Sequence, residues 1–332
     1  MKIALVILNW NGKQLLEKFL PSIVNFSTQE NVTIYVADNA STDHSVEFIK
    51  QNFPSVLIIQ NKKNGGFAKG YNDALKHVEA DIFGLINSDI EVTENWLDSI
   101  ISTFKNEATT TIIQPKILDF KNKSLFEYAG AGGGFIDKFG YPYCRGRVFS
   151  TIETDHSQYN DTTEIFWASG ACFFIRAEVF FELEGFDEDY FAHQEEIDLC
   201  WRAKNSNYII KYVGASTVYH IGGATIKEAS PRKSFLNFRN SLFSLVKNLP
   251  TSKLVPVIFM RMILDGIAGV KFLAELRPIH TLAILRAHAN FYYSLPKTLR
   301  KRKKSIQNNN YYSIKSIVWS YYVQGKKKFE DL

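Results

Sequence analysis

The chain has 332 residues, 45% of them hydrophobic and 22% charged. These are globular values that exclude extended disorder and leave room for one large domain with an appendage, or for two domains. The formal charge of +5 hides an asymmetry: residues 1–224 carry 19 Lys and Arg against 29 Asp and Glu, and residues 225–332 carry 20 against 5. An acidic body repels a phosphate backbone and argues against nucleic acid as a partner, whereas the basic tail suits an anionic surface. Cys144, Cys172 and Cys200 form no CxxC pair, which argues against a disulfide framework or zinc site and fits a reducing compartment. The apolar run Ile3–Leu8 is too short for a signal core or a membrane span.

In chain order, "KIALVIL" predicts a strand stopped by the turn-forming "NWNG". "GKQLLEKFLPSIVNF" spaces Leu15, Leu16, Phe19, Leu20 and Ile23 as a helix face. "VTIYVAD" reads as a second strand, "STDHSVEFIKQN" as a helix opened by a Ser or Thr cap, and "SVLIIQN" as a third strand. "FAKGYNDALKHVEA" reads as a helix and "DIFGLINSD" as a fourth strand, with a further helix begun at Thr93 and Glu94. This alternation predicts an α/β fold with a mostly parallel sheet flanked by helices, whose ligands bind beyond the carboxyl ends of the strands. From about 105 to 165 the pattern loosens around "GAGGGF" and "GYPYCRGR". "FWASGACFFIR" then reads as a buried strand, and "YIIKYVGASTVYHIGG" as a last strand ending in His220. Beyond it come long amphipathic helices punctuated by Pro250, Pro278 and Pro296, with the basic cluster "KTLRKRKK" at 297–304. The expected division is a sheet domain over 1–225 and a basic helical region over 226–332.

Small polar and acidic residues collect at the strand ends: Asn9 after the first; Asp38, Asn39, Ser41 and Asp43 after the second; Asn64, Gly65 and Gly66 after the third; Asn87, Ser88 and Asp89 after the fourth. In "VADNASTD" a carboxylate is placed to accept from the imino N–H of a pyrimidine base, although the same residues suit an Asx-turn and a helix cap. "NGGFAKGYN" lets backbone approach a ligand beside a helix start that favours negative charge, yet it matches neither a Walker A loop nor a dinucleotide fingerprint. In "LINSDIEV" alternation puts Asn87, Asp89 and Glu91 on one strand face, an oxygen set suited to Mg2+ or Mn2+; Asp89 equally fits a turn. His220 reads either as a further metal or phosphate contact or as a structural histidine.

"FAHQEEIDLCWR", residues 191–202, places three carboxylates between Phe191 and Trp201. In a helix Asp198 and Arg202 form an i,i+4 pair. Glu195 and Glu196 point about 100° apart, so one faces a cleft while the other turns elsewhere. A carboxylate beside aromatic rings in a closed site can be tuned toward neutrality, as a general base requires.

Taken together and in this order, "VILNWNG", "VADNASTD", "NGGFAKGYN", "LINSDIEV", "SGACFFIR" and "FAHQEEIDLCWR" resemble family 2 glycosyltransferases, bacterial rhamnosyltransferase-like members above all, over roughly residues 1–225. The resemblance implies a GT-A fold and an inverting transferase. Its donor would be a nucleoside-diphosphate sugar (dTDP-rhamnose-like or a UDP-sugar), and its acceptor a hydroxyl of a glycan or lipid-linked saccharide in cell-surface polysaccharide synthesis. It assigns Asn9, Asp38 and Asn39 to the nucleoside, and Asn64, Gly65, Gly66, Asn87 and Ser88 to the donor pocket. Asp89 falls on the last position of a DxD-like motif, where Mg2+ or Mn2+ would bind, and His220, read from its strand-end position alone, is a further candidate metal contact. Ser169, Gly170 and Trp201 border the acceptor, and the family's acidic pair falls on Glu195 and Glu196, with Glu196 as base. Asn87 stands where many members carry a first Asp.

The basic tail then suggests a cytoplasmic enzyme held peripherally at the inner face of the cytoplasmic membrane, with a helical cap or a dimer contact as the other readings. A sugar nucleotidyltransferase would carry a glycine-rich, Arg-containing loop where "NWNG" stands. A non-catalytic sugar-nucleotide or glycan-binding relative sits poorly with Asp38, Asp89 and Glu196.

Overall fold

Strand β1 (Ile3–Asn9) is apolar and almost wholly buried, as a strand covered on both faces must be. Its side chains alternate between two cores: Ala4 and Val6 meet Tyr71, Phe83 and Leu85 on one face, while Leu5 and Ile7 meet Leu16, Val36 and Ile100 on the other. A computed structural model describes residues 1–222, 230–303 and 310–332. The boundary expected at 225 and Lys304 of the basic cluster lie outside these residues.

The first half alternates as the sequence predicts. Helix α1 (Lys13–Phe26) buries Leu16, Phe19, Leu20 and Ile23. There follow β2 (Val32–Asp38), α2 (Ser45–Asn52), β3 (Leu57–Gln60), α3 (Gly66–Leu75), β4 (Ile82–Asn87), β5 (Ile90–Val92) and α4 (Asp98–Asn106). Next come β6 (Thr110–Asp119) and a small four-stranded antiparallel sheet of β7 (Gly134–Ile136), β8 (Pro142–Cys144), β9 (Arg147–Val148) and β10 (Thr151–Ile152). The edge strand β11 (Thr162–Glu164) precedes β12 (Cys172–Arg176), α5 (Ala177–Glu182), α6 (Glu195–Asn205) and β13 (Ile209–His220). The main sheet has the order β11-β13-β6-β12-β4-β1-β2-β3, with β5 on β13. It is a mostly parallel central sheet in which β12 runs antiparallel between β4 and β6.

Three local expectations are corrected. Helix α2 starts at Ser45, not at a Ser41 or Thr42 cap, because Ser41 Oγ already accepts from Asn11 N (2.9 Å) and Asn9 Nδ2 (3.2 Å). Asp43 serves the helix start instead, accepting from Ser45 N at 3.2 Å and from Lys13 N at 2.8 Å. Helix α4 begins at Asp98 and not at Thr93, whose hydroxyl donates to Thr217 O at 2.8 Å. Asn87, Asp89 and Glu91 do not share one strand face, since a turn at Ser88–Asp89 separates β4 from β5.

The carboxyl-terminal helices are α7 (Pro231–Asn248), α8 (Thr251–Ala274), α9 (Pro278–Arg300) and α10 (Ile317–Tyr322). Ser230 caps α7 by accepting from Lys233 N at 3.2 Å, with Pro231 in the first turn. Buried charges tie α7 and α9 to the body. Asp198 of α6 is fully buried and receives Lys247 Nζ (2.7 Å), Arg202 Nε (2.9 Å) and Asn248 Nδ2 (2.8 Å). Lys247 also reaches Asp187 at 2.7 Å, and Lys301 reaches Asp189 at 2.7 Å.

Burial alone would raise the Asp187 and Asp198 carboxyls, but Lys247 and its basic neighbours override it and hold both below the ordinary range. Their stabilisation is therefore present above the unfolded carboxylate value of about 4 and is lost as the pH falls below it. Asp198→Ala, which leaves buried cations short of a partner, should cost about 3–5 kcal/mol in urea unfolding at pH 7. Its stability should also fall less steeply than that of the unsubstituted protein on acidification below about pH 4.

Candidate active site

Strand register brings the ends of β1, β2 and β4 together: Asn9 lies opposite Asp38, and Leu8 opposite Asn87. Asn9 Nδ2 donates to Asp38 Oδ1 (3.1 Å) and Ser41 Oγ (3.2 Å), and Ser41 N donates to Asp38 Oδ2 (3.0 Å). Asn9 Oδ1 is buried without a partner, and a Cβ on Gly12 would stand 2.5 Å from it. The glycine of "NWNG" therefore makes room for the Asn9 amide. Asn39 sits differently. Its amide donates to Gly66 O at 3.1 Å and accepts from Asn61 Nδ2 at 2.7 Å, so it braces α3 from below.

Asn64, Gly65 and Gly66 dock the start of α3. Asn64 Oδ1 accepts from Gly66 N at 2.9 Å, and Phe67 N donates to Phe191 O at 3.0 Å. Gly66 has φ +81°, and a Cβ there would lie 2.6 Å from Phe191 O, so both conformation and space require glycine.

Beyond β4, Asn87 and Ser88 are partly exposed while Asp89 is buried. Asp89 Oδ1 meets His220 Nε2 at 3.1 Å across 131 residues of sequence. Glu127 Oε1 stands 3.2 Å from His220 Nδ1, near enough for an ion pair but off the line of a hydrogen bond. Burial would lower the imidazole pKa, but Glu127 and Asp89 outweigh it and push it up to about 10. The His220 ring thus lies between two buried carboxyl groups. Among the described residues no three His, Cys, Asp or Glu side chains are arranged to hold a metal by themselves. Asp89 and His220 offer two ligands, which fits Mg2+ or Mn2+ completed by substrate phosphates and water. Glu127 went unnoticed in the sequence because it sits in the irregular segment before "GAGGGF", with no pattern around it.

The acidic pair opens α6. Phe191, His193 and Gln194 have φ of +65°, +68° and +73°, so three of the four residues before the helix are left-handed without being glycine. Asn240 of α7 holds this turn, its Nδ2 donating to the carbonyls of Tyr190 (3.1 Å), Ala192 (3.0 Å) and His193 (2.7 Å). Arg239 Nη2 donates to Asp189 O (3.0 Å) and Tyr190 O (3.1 Å). Neither was singled out from the sequence; the available signal was a polar pair inside the apolar helical run "FLNFRNSLFSLV".

Glu195 is buried with Oε2 unpartnered, and burial together with the neighbouring Glu196 raises its pKa well above the usual value. Glu196 is only partly buried, and desolvation pushes it up to about 7 against the pull of backbone N–H groups at the helix start. Gly170 borders it: a Cβ there would lie 3.7 Å from the Glu196 carboxyl carbon and 3.3 Å from the Phe67 ring. Ser169 is buried, its N donating to Gln114 Oε1 (2.8 Å) and its Oγ accepting from Ala171 N (3.2 Å), so it shapes that turn. Trp201 lies elsewhere. Five residues along the helix turn it about 140° from Glu196, and its ring is buried against Phe166 and Tyr311.

Two predictions follow from this geometry. Asn240→Ala frees the left-handed turn and should lower kcat by roughly 10–10², with the thermal shift caused by bound nucleotide unchanged. Glu195→Gln removes a carboxyl whose pKa burial and Glu196 raise in the folded state. The unsubstituted protein should lose stability relative to this variant as the pH rises above the unfolded carboxylate value of about 4, read as a widening gap in Tm.

Residues 4–183 match the family described as Glycosyl transferase family 2. The N-acetylglucosaminyl-diphospho-decaprenol L-rhamnosyltransferase of Mycobacterium tuberculosis is 25% identical over 221 residues, covering 62% of this chain and 71% of its own. Among solved structures, S. aureus TarS 1-349 in complex with UDP-GlcNAc superposes with a TM-score of 0.59 at 15% identity, covering 91% of this chain and 84% of that one. GalNAc-T7 with UDP, GalNAc and Mn2+ gives a TM-score of 0.60 at 13% identity, covering 90% of this chain and 57% of that one. The two structures share the GT-A architecture, and with more than half of its length matched the chain belongs to glycosyl transferase family 2.

Proposed function

We propose that the protein transfers a sugar, with inversion, from a nucleoside-diphosphate sugar to a hydroxyl of a glycan or lipid-linked saccharide in cell-surface polysaccharide synthesis. The observation that carries this reading is Glu196: a partly open carboxyl raised to about 7, beside Gly170 and at the start of a braced helix. Such a group takes the acceptor's hydroxyl proton while the oxygen attacks the anomeric carbon opposite the departing nucleoside diphosphate. Asn9 and Asp38 bind the nucleoside, with Asn87 and Ser88 at the donor's edge. Asp89 and His220 would hold a Mg2+ or Mn2+, which when bound supplies positive charge against the diphosphate.

A dTDP-rhamnose-like donor is the first choice, supported by the rhamnosyltransferase relative, with a UDP-sugar second. Residues 1–225 carry the chemistry, and the basic region 226–332 keeps the enzyme peripherally at the inner face of the cytoplasmic membrane, near a lipid-linked acceptor. Among the described residues no helix is long and apolar enough to cross a membrane.

Thermal shifts with UDP, dTDP, GDP and CDP, each with manganese or with EDTA, test the donor site. Stabilisation by one nucleotide that requires manganese is the expected result, and stabilisation equal in EDTA would remove Asp89 and His220 from the diphosphate. Glu196→Gln should preserve that shift and cut turnover by roughly 10²–10⁴-fold. In the unsubstituted enzyme kcat should rise with pH through an acidic limb near 7, as the base loses its proton.

A further inference from the structure

Helix α8 is built inside out. From Val255 to Val270 every exposed or half-exposed residue is apolar, while the two charged residues, Arg261 and Asp265, are buried. They face the protein, where Arg261 Nε donates to Asp265 Oδ1 at 2.7 Å and Arg261 Nη2 to Ser241 Oγ at 2.7 Å. A helix on a water-facing surface has the opposite polarity. Val255, Phe259, Ile263, Ile267 and Val270 form the outward stripe, with Phe259 66% and Val270 67% exposed. The stripe spans about 24 Å along the helix axis. It continues over the turn into α9, where Leu276 is 89% exposed and Ile279, Leu282 and Leu285 also face outward. A contiguous apolar surface of this extent marks a docking face.

Charge and side-chain type identify what covers it. Residues 231–332 hold 19 Lys and Arg against 4 Asp and Glu, so two copies meeting through this face would bring like charges together, whereas an anionic bilayer would neutralise them. The border of the stripe is aromatic and basic: Lys271 Nζ donates to Tyr322 Oη at 3.2 Å, and Trp319 of α10 is 57% exposed. Rings with a polar tip beside ammonium groups suit the headgroup layer, with the aliphatic stripe below it. We propose that α8 lies in the plane of an anionic membrane with this stripe seated among the acyl chains, and that Lys271, Tyr322 and Trp319 mark the headgroup level. This deepens and rests on the peripheral-membrane reading above, and it adds that apolar insertion, not charge alone, holds the enzyme there.

Salt separates the two. Flotation of the full chain with phosphatidylglycerol–phosphatidylcholine vesicles should show binding that persists at about 1 M salt, where the screening length is about 3 Å. Phe259→Glu and Ile267→Glu should each weaken vesicle partitioning about 10-fold or more. Both variants should keep the nucleotide-induced thermal shift, which shows that they fold. Complete release of the unsubstituted protein by salt would overturn the insertion while leaving electrostatic attachment standing. No flotation at low salt would overturn both readings. A dimer in solution that Phe259→Glu converts to a monomer, with no flotation, would assign the face to a second copy and overturn the proposal.

Discussion

A single carboxamide secures the turn from which α6 and its two glutamates start. Asn240 draws the carbonyls of Tyr190, Ala192 and His193 toward one nitrogen, and those carbonyls belong to a segment whose backbone is left-handed at three non-glycine positions. Each such conformation costs on the order of 1–3 kcal/mol and persists only where its surroundings leave no alternative. The turn sets where α6 begins, and that start decides which glutamate is buried and which meets Gly170. The same turn also receives α3, through Phe67 N on Phe191 O, so the starts of α3 and α6 share one piece of backbone.

Buried carboxylates here follow two opposite designs. Asp187, Asp198 and Asp265 each face Lys or Arg and are held below the ordinary range. They are fasteners between helices. Glu195 and Glu196 are raised by burial instead. Both designs occur within four residues of α6, where Asp198 is neutralised by Lys247 and Arg202 on the side away from the cleft. A helix pinned by one carboxylate can present another in an unfavourable environment without rotating to relieve it.

Most of the sheet was legible because its strands are short apolar runs whose burial on both faces shows in composition. The strand-end residues were legible for the related reason that polar side chains following such runs have few structural excuses. What failed was local. Ser41 and Thr42 look like a helix cap, but Asn9 and Asn11 donate to the Ser41 hydroxyl, the Thr42 N–H donates to Asn11 Oδ1, and the helix waits until Ser45. Asn39 resembles a ligand residue, yet the nearby Asn61 and Gly66 occupy its amide. Trp201 shares a motif with Glu196, but helical rotation sends it into the core. Glu127, Arg239 and Asn240 act through contacts spanning 47 to 93 positions, as His220–Glu127 and His193–Asn240 show, and no local pattern encodes such partners.

The grip of α7 on the turn before Glu196 also bears on the order in which a nascent chain becomes competent. Strands β1, β2 and β4, with Asn9 and Asp38, leave the ribosome well before residue 240, and domains form as units during synthesis at about 5–20 residues per second. The strand ends that carry Asn9 and Asp38 can therefore take shape while the turn before Glu196 is still unbraced. A chain paused at that stage would present the strand-end pocket before the start of α6 is braced.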